Sequence, residues 1–149
     1  MKKLLFAGCV AALVAAAPAA ARSIDTTHSL RAAGTVLSDK TAGTQGVFRI
    51  NMRMGPGHKL TYIDRAMGVT FRAKTIAFVN YTSKTEAQKS GWAVKIKGMS
   101  WMNGKLVPFT AIAVDHPAPL GTDIFRISIN HGASFGGKLQ TGGVKILQI

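Results

Sequence analysis

Cysteine is nearly absent from this chain, which has one cysteine among its 149 residues. That residue, Cys9, has no second cysteine with which it can pair. A fold held together by disulfide bonds is therefore excluded, and chemistry based on a thiol is not expected. Stability must come from the burial of apolar side chains, and a domain of this size is large enough to form one self-sufficient core.

Acidic residues are also scarce, because six Asp and Glu stand against 19 Lys and Arg. Charged residues make up 17% of the chain and hydrophobic residues 47%, so the sequence is too apolar for a disordered basic tail and too poor in charge for a coiled coil. No stretch after the N-terminal segment shows the 3.6-residue period of an amphipathic helix. We therefore expect a compact domain without helices.

Motifs of catalysis and metal binding are missing as well. The histidines occur singly, without the spacing that places two imidazoles on one metal ion. They are His28, His58, His116 and His131. No nucleophile elbow is present, and Gly55-Pro56-Gly57 lacks the spacing of a phosphate-binding loop. We expect no catalytic residue, no metal and no cofactor.

The N-terminal segment has the parts of a secretory signal peptide. Lys2-Lys3 precedes an uncharged, alanine-rich run that ends in the small residues Ala19-Ala20-Ala21. Pro18 and the many alanines make a transmembrane anchor the weaker interpretation. We predict that residues 1–21 are a cleaved signal peptide, residues 22–33 a flexible lead-in and residues 34–149 one β domain. The mature protein is then exported, periplasmic or secreted, and has no transmembrane segment.

The mature chain alternates apolar and polar residues, which is the period of a half-buried β-strand. The clearest run extends from Phe48 to Met54. The same period returns over residues 92–97 and 124–129, and glycine-rich turns separate the runs. The pattern predicts an all-β fold, a single-domain antiparallel β-barrel or β-sandwich of about eight to ten short strands.

The dipeptide Asn103-Gly104 predicts a two-residue type I′ turn, which fixes the register of the strands on either side. In that register Gly98 faces Phe109, so a small residue meets a large one. The same register leaves Pro108 facing the next strand without an N–H group to donate. We therefore expect the next strand to end where it would meet this proline.

Three of the six acidic residues follow the apolar parity of a strand and stand at its end. They are Asp64, Asp115 and Asp123. One interpretation is that each carboxylate accepts backbone N–H groups and braces its loop. The alternative gathers the three at one mouth of the core, with Tyr62 beside them, as a polar site for a cation or for catalysis.

Cations occupy outward positions on several predicted strands, foremost Arg49 and Arg53 on one run and Lys95 and Lys97 on another. Pooled on one face, they predict salt-sensitive binding of a polyanion at the cell envelope, such as lipopolysaccharide or an acidic polysaccharide. Most aromatic residues follow the apolar parity, so few rings lie among the cations and specific nucleic-acid binding is not expected. The alternative is an ordinary solvated face that keeps strand edges from pairing.

The tip of the predicted hairpin presents apolar residues on the face opposite the core. They are Met99, Trp101, Leu106 and Pro108. An exposed tryptophan at this place predicts contact with a protein partner or a sugar. The alternative is that the N-terminal lead-in or another loop covers the patch.

A set of motifs over residues 34–148 carries a family resemblance. The motifs are Gly34-Thr35, Phe48-x-Ile50, Leu60-x-Tyr62-x-Asp64, Gly68-x-x-Phe71, Asn103-Gly104, the run from Phe109 to Asp115, Asp123-x-Phe125-x-Ile127, Gly132, Gly137-x-Leu139 and Gly143. The most specific part is the spacing from Asp115 to Phe125, with Pro119 in the loop. With these motifs the chain resembles the post-COAP domain family of exported bacterial proteins. The resemblance implies a compact antiparallel β domain without an established enzymatic activity.

These patterns together predict an exported, non-catalytic β domain that binds a polyanion, a polysaccharide or a protein at the cell envelope. A lipocalin-like carrier of a small apolar ligand is the first alternative, because the inward side chains would line a cavity if the interior were hollow. Those side chains are Phe48, Met52, Tyr62, Trp92 and Phe109. A small hydrolase that uses the strand-end aspartates is the second alternative. The oligomeric state is left open.

Overall fold

The fold is given by a computed structural model that describes residues 23–37, 45–52, 57–84, 91–116, 122–129 and 132–149. The predicted signal peptide, residues 1–21, lies outside these described residues, and so does Arg53. Within the described ranges no helix has the length and apolar character needed to cross a membrane.

The described chain forms nine strands, of which eight close into one antiparallel β-barrel. The strands are β1 (Ser23–Ile24), β2 (His28–Leu37), β3 (Gln45–Met52), β4 (Lys59–Asp64), β5 (Val69–Lys84), β6 (Gly91–Met102), β7 (Lys105–Asp115), β8 (Ile124–Ile129) and β9 (Ser134–Gln148). Each barrel strand pairs with the next along the chain, and β9 pairs with β2 to close the barrel. The short β1 adds to β5 in parallel. The predicted all-β class is confirmed, with the barrel as its form.

The longest strand of the barrel, β5, pairs irregularly with β6. β5 has 16 residues, and its register against β6 shifts between Ala73 and Thr75 and again between Ile76 and Phe78. Gly98 faces Ile76, and a Cβ at this glycine would lie 1.9 Å from the Thr75 carbonyl oxygen. Glycine therefore allows β6 to approach the irregular part of β5 closely.

The expectation of a flexible lead-in over residues 22–33 is wrong for most of that segment. Residues 28–33 form the first half of β2, which pairs with β3 on one side and β9 on the other. Leu30 and Ala32 are buried in the core. The alternation is present in the sequence, but a small alanine gives a weak apolar signal, and the two neighbouring strands supply the packing that holds β2 in place.

The two ends of the barrel are distinguished by strand direction. We call the end at which β2, β4, β6 and β8 begin the His28 end, and the end at which they finish the Asp64 end. Asp115 finishes β7 and Asp123 directly precedes β8, so both lie at the His28 end.

The hairpin between β6 and β7 has the predicted register. Asn103 and Gly104 have positive φ values of 48° and 79°, as a type I′ turn requires. The residue pairs across the hairpin are those that the turn predicts. β8 ends at Ile129, which faces Phe109, so the strand stops one residue before it would meet Pro108.

Aromatic side chains fill the described interior. The rings of Phe48 and Phe125 stack with centroids 4.2 Å apart, and Tyr62 packs at 6.3 Å from Phe125. Phe71 and Phe109 meet edge to face at 5.0 Å. All five side chains are buried in one hydrophobic cluster. An interior occupied by the barrel's own side chains does not favour the lipocalin-like carrier.

Candidate functional site

Asp115 and Asp123 brace the backbone of β9 at the His28 end. β8 pairs with only the first part of β9, so N–H groups further along that edge have no strand to donate to. The Asp123 carboxylate accepts the Val144 N–H at 2.7 Å and the His116 N–H at 2.8 Å. The Asp115 carboxylate accepts the Ile146 N–H at 2.9 Å. Both carboxylates accept backbone N–H groups, but only the His116 N–H belongs to the loop between them, and the other two donors lie on β9.

Asp64 is fully buried at the opposite end of the barrel. Its Oδ1 accepts the Met67 N–H at 3.0 Å, and its Oδ2 accepts the Tyr62 hydroxyl at 3.3 Å. Burial, and then the negative charge of Asp64, raise the pKa of Tyr62, which keeps the hydroxyl protonated as a donor. The structure does not gather the three strand-end carboxylates at one mouth, because β4 and β7 run in opposite directions.

The small-hydrolase alternative therefore lacks a supporting geometry. Its three carboxylates are occupied by hydrogen-bond donors of the barrel and are divided between the two ends. Among the residues that the structure describes, no three His, Cys, Asp or Glu side chains form a group that could hold a metal ion.

His28 packs against two aromatic side chains at its own end of the barrel. Its ring packs against Trp92 at 4.5 Å and against Tyr81 at 5.0 Å between centroids. The His28 Nδ1 lies 2.7 Å from the Thr27 hydroxyl oxygen. Burial, and then the charge of Asp25, raise the pKa of Tyr81 to about 12. Trp92, predicted to line the interior, thus lies partly exposed at the rim.

A groove bordered by cations crosses the outer surface of β2 to β5. We call it the basic groove and define it by the exposed residues Arg31, Arg49, Lys59 and Arg72. The strand register brings them together, because Arg49 faces Thr61 and Thr61 faces Arg72. In the adjacent row, Arg31 faces Asn51 and Asn51 faces Lys59. Facing residues have Cβ atoms about 5 Å apart, so these rows form one continuous surface.

Two clefts form the floor of the basic groove. The first has a volume of about 400 Å³ and lies between the two arginines of β2 and β3. The second has a volume of about 390 Å³ and lies between Lys59 and Arg72. Asn51 lines the first cleft and His58 the second, and their buried Oδ1 and Nδ1 atoms have no hydrogen-bond partner among the described residues. The groove therefore combines exposed cations with two buried polar atoms that have no described hydrogen-bond partner.

Among the residues that the structure describes, the cations of the basic groove have no acidic neighbours. None of them lies within 4.0 Å of a carboxylate in the part of the chain that the structure describes. Asp64, Asp115 and Asp123 accept hydrogen bonds from the barrel itself, and Asp25 accepts them from Thr27. Because no described carboxylate pairs with these cations, the positive potential of the groove favours the binding of an anion.

Trp101 adjoins the basic groove. It faces Arg72 on β5 and Leu106 on β7, so a single row of outward residues runs from Arg49 to Leu106. Trp101 is 44% exposed, and Leu106 is 42% exposed. The Lys74 Nζ lies 5.2 Å from the centroid of the Trp101 ring, within the range of a cation–π interaction. The sequence predicts an aromatic and a basic surface separately, and the pairing of β5 with β6 joins them.

The described N-terminal strands do not cover Trp101. β1 pairs with β5 at Phe78 and Val79, and β2 pairs with β3 and β9. Met99, predicted as part of the same patch, is only partly exposed and faces Pro108 across the hairpin. The exposed part of the patch is therefore Trp101 with Leu106 and Pro108.

Lys95 and Lys97 lie on another part of the outer surface. Lys95 faces Ile112 on β7, and the Lys97 Nζ lies 5.6 Å from the centroid of the Phe78 ring. The structure does not bring these lysines into the basic groove with Arg49. Arg53, the remaining predicted cation, lies outside the described residues.

Two residues of the basic groove were missed in the sequence. Arg31 falls in the segment predicted as a lead-in, although it alternates with Leu30 and Ala32. Lys59 directly precedes the apolar residues of β4. In both places the available signal was the alternation of apolar and polar residues. This alternation identifies an outward position but not its neighbours on other strands.

No protein-family model, curated protein or solved structure matches this chain. The function is therefore argued from the chemistry of the site itself. The resemblance to the post-COAP domain family stays a prediction.

Proposed function

We propose that this protein is an exported, non-catalytic module that binds a polyanion of the cell envelope in its basic groove. One observation carries the proposal: exposed cations surround two clefts, and no described carboxylate lies within 4.0 Å of any of them. Phosphate, sulfate and carboxylate groups are the ligands that such a surface attracts.

The side chains of the groove suit an anion of this kind. The planar guanidinium of an arginine donates two parallel hydrogen bonds to a phosphate or carboxylate. Arg49 faces Ala33 on β2, and Ala33 faces Gly143 on β9, so small residues leave room for an anionic group beside the arginine. Asn51 lines the same cleft and adds a neutral polar side chain beside the two arginines.

The envelope location is supported by the predicted signal peptide over residues 1–21 and by the resemblance to a family of exported proteins. Outside the cytoplasm the abundant polyanions are lipopolysaccharide and acidic polysaccharides. A binding mode based on ion contacts to such a polymer is expected to weaken steeply as salt is added.

The proposal is tested by retention of the mature chain on immobilised dextran sulfate as salt increases. The variant Arg49→Gln/Arg72→Gln removes two groove cations from outward positions, and Lys95→Gln/Lys97→Gln is the matched control on another surface. We expect the groove variant to elute at clearly lower salt, with the slope of log affinity against log salt reduced by about 2. The control is expected to elute close to the parent protein, and equal losses in both variants would contradict the groove as the binding site.

A further inference from the structure

An exposed apolar row borders the basic groove on the side of the Asp64 end. We define the apolar row as Leu37, Val47, Ile63 and Met67, which are 36%, 55%, 44% and 40% exposed. Val47 and Ile63 face each other across β3 and β4, so their side chains form one surface. Leu37 faces Gln45, two residues before Val47, and Met67 lies in the turn after β4. Outward positions of an antiparallel sheet usually carry polar residues, so an exposed apolar pair with two further exposed apolar residues on the adjoining segments indicates a binding surface.

The apolar row and the basic groove lie on the same strands. Val47 precedes Arg49 by two residues on the outer face of β3, a distance of about 7 Å along the strand. Ile63 follows Thr61 by the same step on β4, and the exposed Arg65 follows Ile63 in the next turn. Apolar and positively charged side chains therefore alternate over short distances at this end of the barrel.

Trp101 and Leu106 extend this boundary onto β6 and β7. Six of the nine large exposed hydrophobic side chains in the described ranges lie toward the Asp64 end. They are Leu37, Val47, Ile63, Met67, Trp101 and Leu106. Trp101 also faces Arg72, which places the indole between apolar and charged neighbours. A tryptophan prefers this position where a protein meets the surface of a lipid bilayer.

We propose that the polyanion is an anionic lipid surface, with the basic groove on the phosphate head groups and the apolar row and Trp101 in the interfacial region. The inference rests on the proposed function and names the ligand of the same site. An anionic lipid surface presents negative charge and apolar groups side by side, as this protein surface presents positive charge and apolar groups side by side.

Two other occupants fit the surface less well. A soluble polyanion neutralises the groove but leaves Val47 and Ile63 in water. A second copy of the chain, packed apolar row against apolar row, brings the neighbouring cations of both copies close together, and like charges repel. An anionic lipid surface contacts both the basic groove and the apolar row.

The first test is cosedimentation of the mature chain with vesicles. Phosphatidylcholine vesicles are compared with vesicles that also contain phosphatidylglycerol, and binding is expected only to the second kind. The variant Arg49→Gln/Arg72→Gln should lower the partition coefficient by roughly 25-fold, at about fivefold for each cation. The variant Val47→Ser/Ile63→Ser should lower it by roughly tenfold or more.

The matched control for the apolar row is Ile112→Ser. Ile112 is 42% exposed on β7, close to the value for Ile63, but it lies between lysine and arginine positions outside the apolar row. Its replacement should leave the partition coefficient unchanged. Circular dichroism and the unfolding midpoint of every variant verify that the barrel is intact.

Tryptophan fluorescence gives an independent readout, because the chain has two tryptophans, at opposite ends of the barrel. In Trp92→Phe the remaining Trp101 should shift its emission to the blue on phosphatidylglycerol vesicles and be quenched by brominated lipid. In Trp101→Phe the remaining Trp92, at the His28 end, should show neither change. If brominated lipid quenches Trp92 but not Trp101, the proposed orientation is overturned.

The outcomes separate this inference from the function on which it rests. Suppose that Val47→Ser/Ile63→Ser leaves vesicle binding unchanged, while Arg49→Gln/Arg72→Gln is no longer retained on dextran sulfate. The lipid inference is then overturned, and the polyanion function stands. If Arg49→Gln/Arg72→Gln binds dextran sulfate and phosphatidylglycerol vesicles as the parent protein does, the polyanion function and the lipid inference are both overturned. Equal binding to phosphatidylcholine vesicles, or a dimer in solution that Val47→Ser/Ile63→Ser abolishes, also overturns the lipid inference.

Discussion

The two ends of the barrel hold their carboxylates in different ways. At the His28 end, Asp115 and Asp123 accept hydrogen bonds from β9, with partners 31 and 21 residues away in the sequence. At the Asp64 end, Asp64 accepts hydrogen bonds from Tyr62 and from the N–H of Met67, two and three residues away. One end is fastened by bonds between distant strands, and the other by bonds within one strand and its turn.

This difference shows what parity along a strand determines and what it leaves open. All three carboxylates follow the apolar parity of their strands, yet their partners come from unrelated parts of the chain. The end that is fastened locally is also the end whose outer surface carries the apolar row. Substitutions at the two ends therefore test stability and binding separately.

The largest effect on stability is expected at the His28 end, from Asp123→Ala. The substitution leaves the N–H groups of Val144 and His116 without their acceptor, which should lower the free energy of unfolding by roughly 2–4 kcal/mol. Asp115→Ala removes one such bond and should cost about half as much. Urea unfolding measures both, with the exposed Thr122→Ala as a control. An Asp123→Ala variant as stable as the parent would show that the bonds to β9 do not fasten this end.

A smaller effect is expected from a pair of glycines. A Cβ at Gly46 would lie 2.2 Å from the Tyr62 hydroxyl oxygen, and the Tyr62 ring is held between Phe125 and Phe135. Gly46→Ala should therefore destabilise the Asp64 end by about 1–3 kcal/mol. At Gly143 the added Cβ meets only the Asp123 Oδ2, at 3.6 Å, so Gly143→Ala should be close to neutral. Thermal unfolding compares them, and equal midpoints would contradict the tight packing around Tyr62.

The smallest effect on stability is expected above pH 10 and involves the buried Tyr81 at the His28 end. The pKa of Tyr81 is raised from an ordinary 10.0 to about 12. The folded chain therefore holds a proton that the unfolded chain loses, and stability that is fully present below pH 10 falls as the pH rises toward 12. Tyr81→Phe should make this fall less steep in urea unfolding at a series of pH values. An unchanged slope in that variant would mean that Tyr81 is not the group responsible.

Local features of the sequence predict much of the fold. The turn at Asn103-Gly104 predicts every residue pair of its hairpin, because a two-residue turn leaves one register. The alternation around Phe48 predicts the inward face of β3 in the same way. The segment from His28 to Ala33 was predicted wrongly because the packing that makes it a strand comes from β3 and β9, which are distant in the sequence.

The candidate site could be predicted only in its parts. Arg49 and Trp101 are identified as outward residues by parity, but they belong to one surface only because β3, β4, β5 and β6 pair in a particular register. The connection from β4 to β5 spans Arg65 to Gly68, and its length alone does not fix the register as a two-residue turn does. The bulges in β5 move the register again. Neighbours across several strands follow from tertiary packing rather than from the spacing of residues.

The pairing of β2 with β9 has a consequence for how the chain acquires its structure. Thr35 and Thr141 are 106 residues apart, and their hydroxyl oxygens lie 2.9 Å from each other across this seam. The first and last strands of the barrel can meet only when nearly the whole chain is present, and contacts of such long range form slowly. Until then the sheet is open, with an unpaired edge on each side. Closure of the barrel is therefore expected to be a late step of folding, after β9 has become available to pair with β2.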